Sequence, residues 1–341
     1  MRLLRLYRRY KEKYDQFSGL VRQMGGGPVQ VFTHLICFLG NCLVYRISII
    51  DYFELTFYKK TRAEKRTYIN SHDQREFAHT VDVPEVGFEF TKKSVLHDLF
   101  REQMGRDQLF TETMTEEDFA DFAARHERFL FKPDFSWCGR GIGIVETEGR
   151  SVHELYEELR QQNGILDELV VQHPDMEALH PGTLNTVRVF SFLLNGKLDI
   201  IAAALRVGRD GAVVDNYSAG GIVCSIDSAT GRVIDRGEDM FGKRYESHPD
   251  SGVPLVGFQV PRWDEVLAFV EEVARISPIR YAGWDIAIRE NDCVLIEGNY
   301  NPMVNVCQIA GADGKKARFE EMLALYHETV EKEKQPEAAL C

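Results

Sequence analysis

Two strand-forming segments joined by Asn195-Gly196 constrain the fold of this chain more than any other feature. Thr186–Leu194 and Leu198–Val207 are rich in apolar and β-branched side chains, and Asn-Gly between such segments is typical of a two-residue hairpin turn. Similar pairs of short strands, separated by tight turns and by helices, recur from residue 128 to residue 300. Antiparallel hairpins mixed with helices predict an α+β fold, because a parallel sheet requires strands and helices in strict alternation.

Changes in pattern along the 341 residues divide the chain into three parts. The first 80 residues are mainly helical in pattern, and an extended pattern first appears at Glu85–Phe90. Helices follow at Ser94–Gln103 and Glu116–Arg128, before the hairpins begin. The sequence therefore predicts an N-terminal helical region at 1–85, one α+β part at 86–180 and a second at 181–341.

Charge and cysteine content narrow the function classes. The chain has 41 Lys and Arg against 53 Asp and Glu, a net charge of −12, which disfavours nucleic acid as the main partner. It has seven cysteines and no C-x-x-C pair. An odd, dispersed set is typical of reduced thiols, so we expect a cytoplasmic protein with neither disulfides nor a zinc site.

The first 45 residues allow two interpretations. Met1–Tyr14 is basic, but the charged Lys11–Asp15 and the glycines at 25–27 follow it, which is not the pattern of a secretion signal. Val29–Tyr45 lacks Asp, Glu, Lys and Arg and is slightly shorter than the apolar run of a spanning helix. A buried helix is the interpretation we favour here. The alternative is a peripheral contact of residues 1–45 with the inner face of a membrane, in which the basic stretch meets anionic lipid.

Asp285 and the segment LIEGNYNP form the most informative candidate site. Asp285 lies on one predicted strand, and Glu297 and Asn299 end the next, after a tight turn. Alternate residues of a strand share a face, so Glu297 and Asn299 point the same way, and a short hairpin brings Asp285 opposite them. Two carboxylates and an amide oxygen suit Mg²⁺ bridging substrate phosphates. The simpler explanation is a set of polar residues at surface strand ends.

A lysine, a glycine-rich loop and a second polar loop indicate phosphate binding less specifically. Lys132 ends a strand, and Gly139, Gly141 and Gly143 lie between that strand and the next. Glycines let backbone N–H groups approach phosphate oxygens, although glycine between strands is usually only a turn. The polar loop at 215–221 ends in two glycines and is either a ligand-covering loop or a turn.

Arg188 and Arg206 lie on the two strands of the Asn195-Gly196 hairpin. Counting outward from the turn pairs residue i with residue 391 − i, so Arg188 faces Ala203. Strict alternation then places Arg206 on the opposite face, whereas one β-bulge would place both arginines on one face. On one face they would repel unless an anion lay between them, which would indicate carboxylate or phosphate recognition. On opposite faces they would form separate salt bridges.

Taken in order, these segments resemble the ATP-grasp superfamily of carboxylate–amine ligases, over about residues 90–300. The detailed pattern is similar to the branch with the ribosomal-protein glutamate ligase, and most similar to the sugar-transfer-associated ATP-grasp family. The resemblance implies an ATP-grasp fold, in which two α+β subdomains sandwich ATP, preceded here by a mainly helical region.

The resemblance also assigns roles to individual residues. The implied catalytic residues are Arg188 and Arg206, and the implied metal ligands are Asp285, Glu297 and Asn299. The implied nucleotide-binding residues are Lys93, Lys132, Gly139, Gly141, Gly143, Glu168, Val171, Gln172, Asn216, Gly220 and Gly221. Within that set the hinge strand at 170–173, with Gln172, would meet adenine, and Glu168 or Glu177 would hold the ribose.

The reaction implied is ADP-forming amide ligation through an acyl phosphate, with ATP and two Mg²⁺ ions, or Mn²⁺ in their place. Small-molecule or peptide carboxylates and amines, or glycan components, are the implied substrates; neither they nor the oligomeric state can be named from the sequence. Two alternatives remain open. One is a phosphotransferase on the same fold, and the other is a nucleotide-binding scaffold without turnover. The intact set of Lys132, Asp285, Glu297 and Asn299 argues against the scaffold.

Overall fold

The computed structural model describes residues 2–134, 141–212, 214–217 and 220–338, with side chains described between residues 11 and 332. Two antiparallel sheets, each covered by helices, face each other across a cleft. This arrangement agrees with the predicted α+β class.

The N-terminal part is helical, as predicted. Its helices are α1 (Arg2–Gln23), α2 (Pro28–Tyr45), α3 (Ile49–Glu54), α4 (Arg62–Thr67), α5 (Ser71–Val81), α6 (Pro84–Phe90) and α7 (Lys93–Met104). Ser48, Thr61 and Asn70 begin three of them by accepting backbone N–H groups of the first turn. The predicted extended segment at Glu85–Phe90 is wrong, because Pro84 occupies the first helical position of α6, where its missing N–H costs nothing.

The smaller sheet has four strands in the order β1-β4-β2-β3, all antiparallel. They are β1 (Gln108–Phe110), β2 (Arg128–Pro133), β3 (Gly143–Glu146) and β4 (Gly164–Glu168). Helices α8 (Glu116–Arg125) and α9 (Val152–Leu159) cover one face. Phe119, Phe129 and Leu166 lie in the separate core of this lobe.

The larger sheet has seven antiparallel strands in the order β11-β10-β5-β6-β7-β8-β9. They are β5 (Thr186–Leu194), β6 (Lys197–Val207), β7 (Ile222–Ile226), β8 (Gly237–Glu238), β9 (Arg244–Tyr245), β10 (Tyr281–Ile288) and β11 (Cys293–Tyr300). The helices of this lobe are α10 (Pro174–Leu179), α11 (Trp263–Ile276) and α12 (Lys316–Ala338), with a 3-10 turn at Val304–Cys307. The predicted hairpins β5–β6 and β10–β11 are both confirmed.

The predicted boundaries at residues 86 and 180 differ from the packing. Helix α7 belongs to the larger lobe, since the Phe100 ring packs on Trp284 at 5.8 Å between centroids. Met176 of α10 lies in the same core. Phe77 of the N-terminal region contacts Phe192 of β5 at 5.7 Å, so that region shares this core too. The small lobe, whose buried apolar core runs from 114 to 166, is therefore inserted into one larger body.

The buried-helix interpretation of Val29–Tyr45 is wrong. Within α2 only Val31 and Asn41 are buried. The helix is long and apolar enough to cross a membrane by length and composition, yet 11% of it is buried within the protein. Its outer face carries large apolar side chains, among them Leu43 at 86% exposed.

Candidate active site

A cleft between the two sheets is lined by six of the predicted site residues: Lys93, Lys132, Arg206, Asn216, Asp285 and Glu297. Leu130 and Ile165 line it from the small sheet, and Leu184 and Ile296 line it from the larger lobe. Charged side chains, among them Lys93, Arg206 and Glu297, line the same cleft. Apolar walls together with charged groups suit a nucleotide base and its phosphates.

Lys93 and Lys132 enter the cleft from opposite lobes. Lys93 begins α7, and its Nζ donates to the Asp134 carbonyl at 3.4 Å. Burial lowers the pKa of Lys93, and Lys132 lowers it further, while Glu297 opposes the change. Both lysines line the cleft, and an anion beside them would be stabilised by both charges. Their role in phosphate binding stays a prediction.

Below Lys132 lies a buried ion pair that the sequence analysis did not single out. Asp167 of β4 bonds to the Lys132 ammonium and accepts from Arg106 Nε at 2.7 Å. Burial alone would raise the pKa of Asp167, but Arg106 and Lys132 hold it well below its ordinary value. Arg106 also donates to the Leu295 carbonyl at 2.6 Å and so joins the two lobes. The available signal was an aspartate within the apolar run GILDELV, because a buried charge requires a partner.

The predicted metal ligands lie on neighbouring strands, as expected. Asp285 of β10 pairs directly with Glu297 of β11, and Asn299 pairs with Gly283. Burial raises the pKa of Glu297, and the Asp285 charge adds to this, while Lys93 and Arg188 act in the other direction. Asn299 lies outside the set of side chains that line the cleft and donates only a long, 3.4 Å bond to the Gly283 carbonyl.

The two arginines share one face, because a β-bulge interrupts the hairpin between Phe190 and Ser191. The count of 391 − i holds from the turn to Ser191 and then shifts by one. Arg188 therefore faces Ala204 instead of Ala203, and Arg206 faces Thr186. Since Thr186 and Arg188 are two residues apart on one strand, both guanidinium groups lie on the same side.

The anion between the arginines is the Asp285 carboxylate. Arg188 donates from Nε to Oδ1 at 2.6 Å and from a terminal nitrogen to Oδ2 at 2.5 Å. Arg206 donates to Oδ2 at 2.7 Å. Burial would raise the pKa of Asp285, but the arginines hold it below its ordinary value. Glu297, Asp285 and Arg188 thus form a row across three strands.

Asp215 fixes the far side of Arg206. It accepts from a terminal nitrogen of Arg206 at 2.7 Å and from the Thr186 backbone N–H at 2.9 Å. Burial raises the pKa of Asp215, while Arg206 and Thr186 oppose the increase. The sequence analysis placed Asp215 at the head of a polar loop without a role, and its partners show that it positions Arg206.

The predicted Asn-Gly-Gly loop turns sharply beside the cleft. Asn216 lines the cleft. Gly220 has φ +103°, and a Cβ on Gly221 would lie 2.5 Å from the Asp215 carbonyl oxygen, so both positions require glycine. Neither of these glycines lines the cleft; their contribution is the shape of the turn that holds Asp215 and Asn216.

The predicted phosphate-covering loop is described only at its end. Gly141 has φ +76°, and a Cβ there would lie 2.9 Å from the Pro133 side chain. Gly143 begins β3, and Ile142 between them lines the cleft. Gly139 lies outside the described residues, so its predicted role stays a prediction.

The hinge differs from the prediction. Strand β4 ends at Glu168, so 170–173 is not a strand. Gln172 lines a second space, which adjoins the cleft at Leu130 and Ile296. Its side-chain N–H groups donate to Glu177 at 2.6 Å and to the Thr183 carbonyl at 2.7 Å. Its side chain therefore braces the hinge instead of meeting adenine. Val171 is 82% exposed, which leaves only its backbone for a base contact.

Both candidates for the ribose contact line the same space as the hinge. Glu168 accepts from the Asp107 N–H at 2.8 Å through one oxygen. Glu177 accepts from Gln172 and, at 3.1 Å, from the Gly182 N–H. Glu168 thus keeps one oxygen without such a bond among the described residues, and this favours it slightly over Glu177.

The carboxylates fit a Mg²⁺ site. An ionised carboxylate offers about four lone-pair positions, and the arginines use three of those on Asp285. Among the described residues none donates a hydrogen bond to the Glu297 carboxylate, which faces the cleft. Hard oxygen donors in the same cleft as Lys93, Lys132 and Arg206 suit Mg²⁺ beside phosphate, and Glu297 is the more available of the two ligands.

Comparisons with known proteins identify the family of this chain. The family model described as sugar-transfer associated ATP-grasp matches residues 75–323. No curated protein matches the sequence. The solved ATP-grasp ligase PsnB, complexed with minimal precursor, is 16% identical over 72% of this chain and 63% of its own, with a TM-score of 0.45. This chain thus spans less than two thirds of the length of PsnB.

Two further solved structures are similar. D-alanine–D-alanine ligase from Bacillus anthracis, complexed with ATP, is 12% identical over 73% of this chain and 68% of its own, with a TM-score of 0.42. The ADP complex of PurK, N5-carboxyaminoimidazole ribonucleotide synthetase, is 10% identical over 62% of this chain and 45% of its own, with a TM-score of 0.39.

Proposed function

The chain belongs to the sugar-transfer associated ATP-grasp family, and from this premise we propose that it is an ATP-dependent carboxylate–amine ligase. The products are an amide, ADP and phosphate. The substrates belong to small molecules, peptides or glycans that carry a carboxylate and an amine, and the protein acts in the cytoplasm. The substrates do not include nucleic acid.

ATP lies in the cleft with its base between Leu130 and Ile165 on one side and Leu184 and Ile296 on the other. Glu168 accepts from the ribose hydroxyls. Lys93 and Lys132 donate to the α- and β-phosphates, and Asn216 lines the same cleft. The bond from Lys132 to Asp167 orients the ammonium group that the phosphate meets.

Asp285, Glu297 and Asn299 would hold Mg²⁺, in our proposal as two ions. The metal supplies charge neutralisation for the β- and γ-phosphates. Asp285 would bind the ion through its remaining lone pair, or would give up one of its hydrogen bonds to the arginines. Glu297 would bind the ion without such a rearrangement.

In the first step a carboxylate oxygen of the substrate attacks the γ-phosphorus, and the bond from that phosphorus to the β–γ bridging oxygen breaks. ADP leaves, and the substrate becomes an acyl phosphate. Arg188 and Arg206 stabilise the transferring phosphoryl group and then the acyl phosphate. In the second step the amine attacks the acyl carbon, inorganic phosphate leaves, and the nitrogen loses a proton to water.

The observation that carries this proposal is that Lys93, Lys132 and Arg206 line one cleft together with Asp285 and Glu297, while Arg188 pairs with Asp285 beside them. The described lining residues include no cysteine, serine or histidine. Such a site works by positioning and by charge, without a protein nucleophile. The paired arginines support the ligase over a kinase, because they already surround a carboxylate, Asp285, and suit an anionic acyl phosphate.

The decisive experiment follows the oxygen atoms. Pairs of carboxylates and amines are first screened for ADP release, and the active carboxylate is then labelled with ¹⁸O. A ligase transfers one ¹⁸O to inorganic phosphate, with ADP as the nucleotide product.

Two results would overturn the assignment. Unlabelled phosphate, or a stable phosphorylated product formed without any amine, would make the protein a phosphotransferase. AMP as the nucleotide product would contradict the acyl-phosphate route. Glu297→Gln serves as the inactive control, and Glu290→Gln, in the turn of the same hairpin, as the active one.

A further inference from the structure

The outer face of α2 is an apolar stripe that the fold leaves uncovered. Its members recur at intervals of three and four residues and lie on one side of the helix: Val29, Phe32, Ile36, Leu39 and Leu43. They range from 52% exposed at Leu39 to 86% at Leu43. Contiguous apolar surface of this kind marks an interaction site on a folded protein.

The opposite face of α2 is packed, which defines how the helix is held. Phe38 contacts Phe17 of α1 at 5.5 Å and Tyr52 of α3 at 5.6 Å between ring centroids. His34 Nδ1 lies 2.9 Å from the Tyr52 hydroxyl. One face is thus bound to protein, so α2 is suited to lie along a surface and not to be surrounded by lipid.

The charges of α1 and α2 indicate that a lipid surface, and not another protein, covers the outer face of α2. Helix α2 contains no Asp, Glu, Lys or Arg, so inserting its outer face desolvates no charge. Helix α1, which packs against α2, has seven basic and two acidic residues in a chain whose net charge is −12. An apolar helix face beside a cationic helix complements an anionic membrane. Two copies of this chain would instead bring two cationic helices together.

We propose that the α1–α2 hairpin is a peripheral membrane anchor, which inserts the α2 stripe into the interface of an anionic bilayer. The contact does not depend on the reaction. Among the described residues none before Lys93 lines the nucleotide cleft, so the protein keeps its catalytic cleft accessible while it is bound to the membrane.

The test is flotation of the full chain with vesicles of phosphatidylglycerol and phosphatidylcholine, against phosphatidylcholine alone. At about 50 mM salt the protein should float with the anionic vesicles only, and about 500 mM salt should weaken binding. The triple variant Phe32→Ser/Leu39→Ser/Leu43→Ser should bind about 100-fold more weakly, because it loses most of the inserted area. Lys11→Glu/Lys13→Glu should weaken binding to anionic vesicles as well.

A matched control removes exposed apolar residues elsewhere. Val256→Ser/Ile276→Ser/Leu325→Ser alters side chains that are 40–54% exposed outside the hairpin, and should leave flotation unchanged. Circular dichroism and Mg·ATP binding of each variant verify folding. Failure of the wild-type chain to float, or equal flotation of the Phe32 triple variant, would overturn the proposal. A concentration-dependent dimer that the triple variant abolishes, without vesicle binding, would assign the face to a second copy.

A second measurement does not depend on removing the stripe. Phe32→Trp places an indole on the outer face, and brominated lipid should quench it if the face enters the bilayer. The wild-type chain, in which Trp263 and Trp284 are buried, serves as the reference. Absence of additional quenching relative to the wild-type chain would contradict insertion.

Discussion

At the scale of single residues, Glu297 combines a cost in stability with a role in binding. Burial raises the pKa of its carboxyl group, and the charge of Asp285 raises it further. An acid with a raised pKa in the folded state holds its proton more tightly there than in the unfolded state. Ionisation of such a group as the pH rises therefore lowers the free energy of unfolding. Such a residue persists where the charge is needed for a ligand.

Replacement of Glu297 by Gln should therefore have opposite effects on stability and activity. We expect a higher Tm than wild type at neutral pH without ligand, a smaller Tm increase with Mg·ATP, and turnover lower by at least about 100-fold. Thermal melts with and without Mg·ATP, and ADP release, measure these effects. Wild-type affinity for Mg·ATP should weaken as the pH falls, starting above the ordinary pKa of glutamate.

Glu290→Gln, an exposed change in the β10–β11 turn, is the matched control and should behave as wild type. Wild-type turnover in a folded Glu297→Gln chain would remove this residue from the metal site. A lower Tm without ligand would show that the charged Glu297 carboxylate stabilises the fold, which contradicts a raised pKa.

Residues close in sequence could be predicted to meet, and residues far apart could not. Asp285 and Glu297 were found because a short hairpin fixes their register. The pair of Arg106 and Asp167 spans 61 residues, so no spacing indicates it. Whether Arg188 and Arg206 share a face of the sheet depends on a β-bulge. Strand alternation in the sequence cannot locate such a bulge.

At the scale of elements, the loop between β6 and β7 sets the position of Arg206 through backbone shape. A Cβ on Gly221 would lie 2.5 Å from the Asp215 carbonyl oxygen, so the turn has no room for a side chain there. Because Asp215 holds Arg206 at 2.7 Å, any shift of this turn moves the guanidinium group. The loop thus connects a glycine outside the cleft with chemistry inside it.

Gly221→Ala should lower kcat by about 10-fold or more, because displacement of a positioned group by an ångström has effects of this size. Gly19→Ala is the matched control, since its added Cβ meets nothing within 4 Å and alanine in a helix is favoured over glycine by about 0.5–1 kcal/mol. ADP-release kinetics and thermal melts compare the two variants. Unchanged kcat in Gly221→Ala would show that the turn does not position Arg206.

Elements with strong local signals were predicted accurately. Strand Thr186–Leu194 has the predicted bounds, because its apolar side chains and the Asn-Gly turn determine them locally. The hinge at 170–173 begins with two valines, which favour a strand, but it lies beyond the last paired residue of β4, Glu168. Strand preference without a neighbouring strand does not form a strand.

At the scale of the whole molecule, the two lobes have separate cores and meet around Arg106. Its guanidinium group donates to Asp167 in the small sheet and to the Leu295 carbonyl in the large one. Sequence patterns placed the lobe boundary near residue 86, because they do not reveal that α7 packs on the larger sheet. Long-range packing of this kind decides which lobe a helix joins.

Arg106→Met should destabilise the fold and weaken nucleotide binding together. The Arg106 and Asp167 side chains are 2% and 1% exposed, and removal of one partner of a buried pair costs about 3–5 kcal/mol. Lys132 remains on Asp167, so we expect the lower end, with Tm reduced by about 5–10 °C. Lys132 then becomes the only close cation of Asp167 and is less available to phosphate, so KM for ATP should rise.

The pH dependence of Arg106→Met tests the cause of this loss. The folded-state pKa of Asp167 is depressed, so its ion pairs stabilise the fold above the ordinary pKa of aspartate and this stability is lost as the pH falls. The stability difference between wild type and Arg106→Met should therefore be largest near neutral pH and shrink below about pH 4.

Arg289→Met is the control. It removes a bond to the Gly105 carbonyl and an exposed pair with Asp292 at the same junction, and this pair is worth less than about 1 kcal/mol. Denaturation across pH measures both variants, and a pH-independent difference for Arg106→Met would assign its role to packing instead of charge.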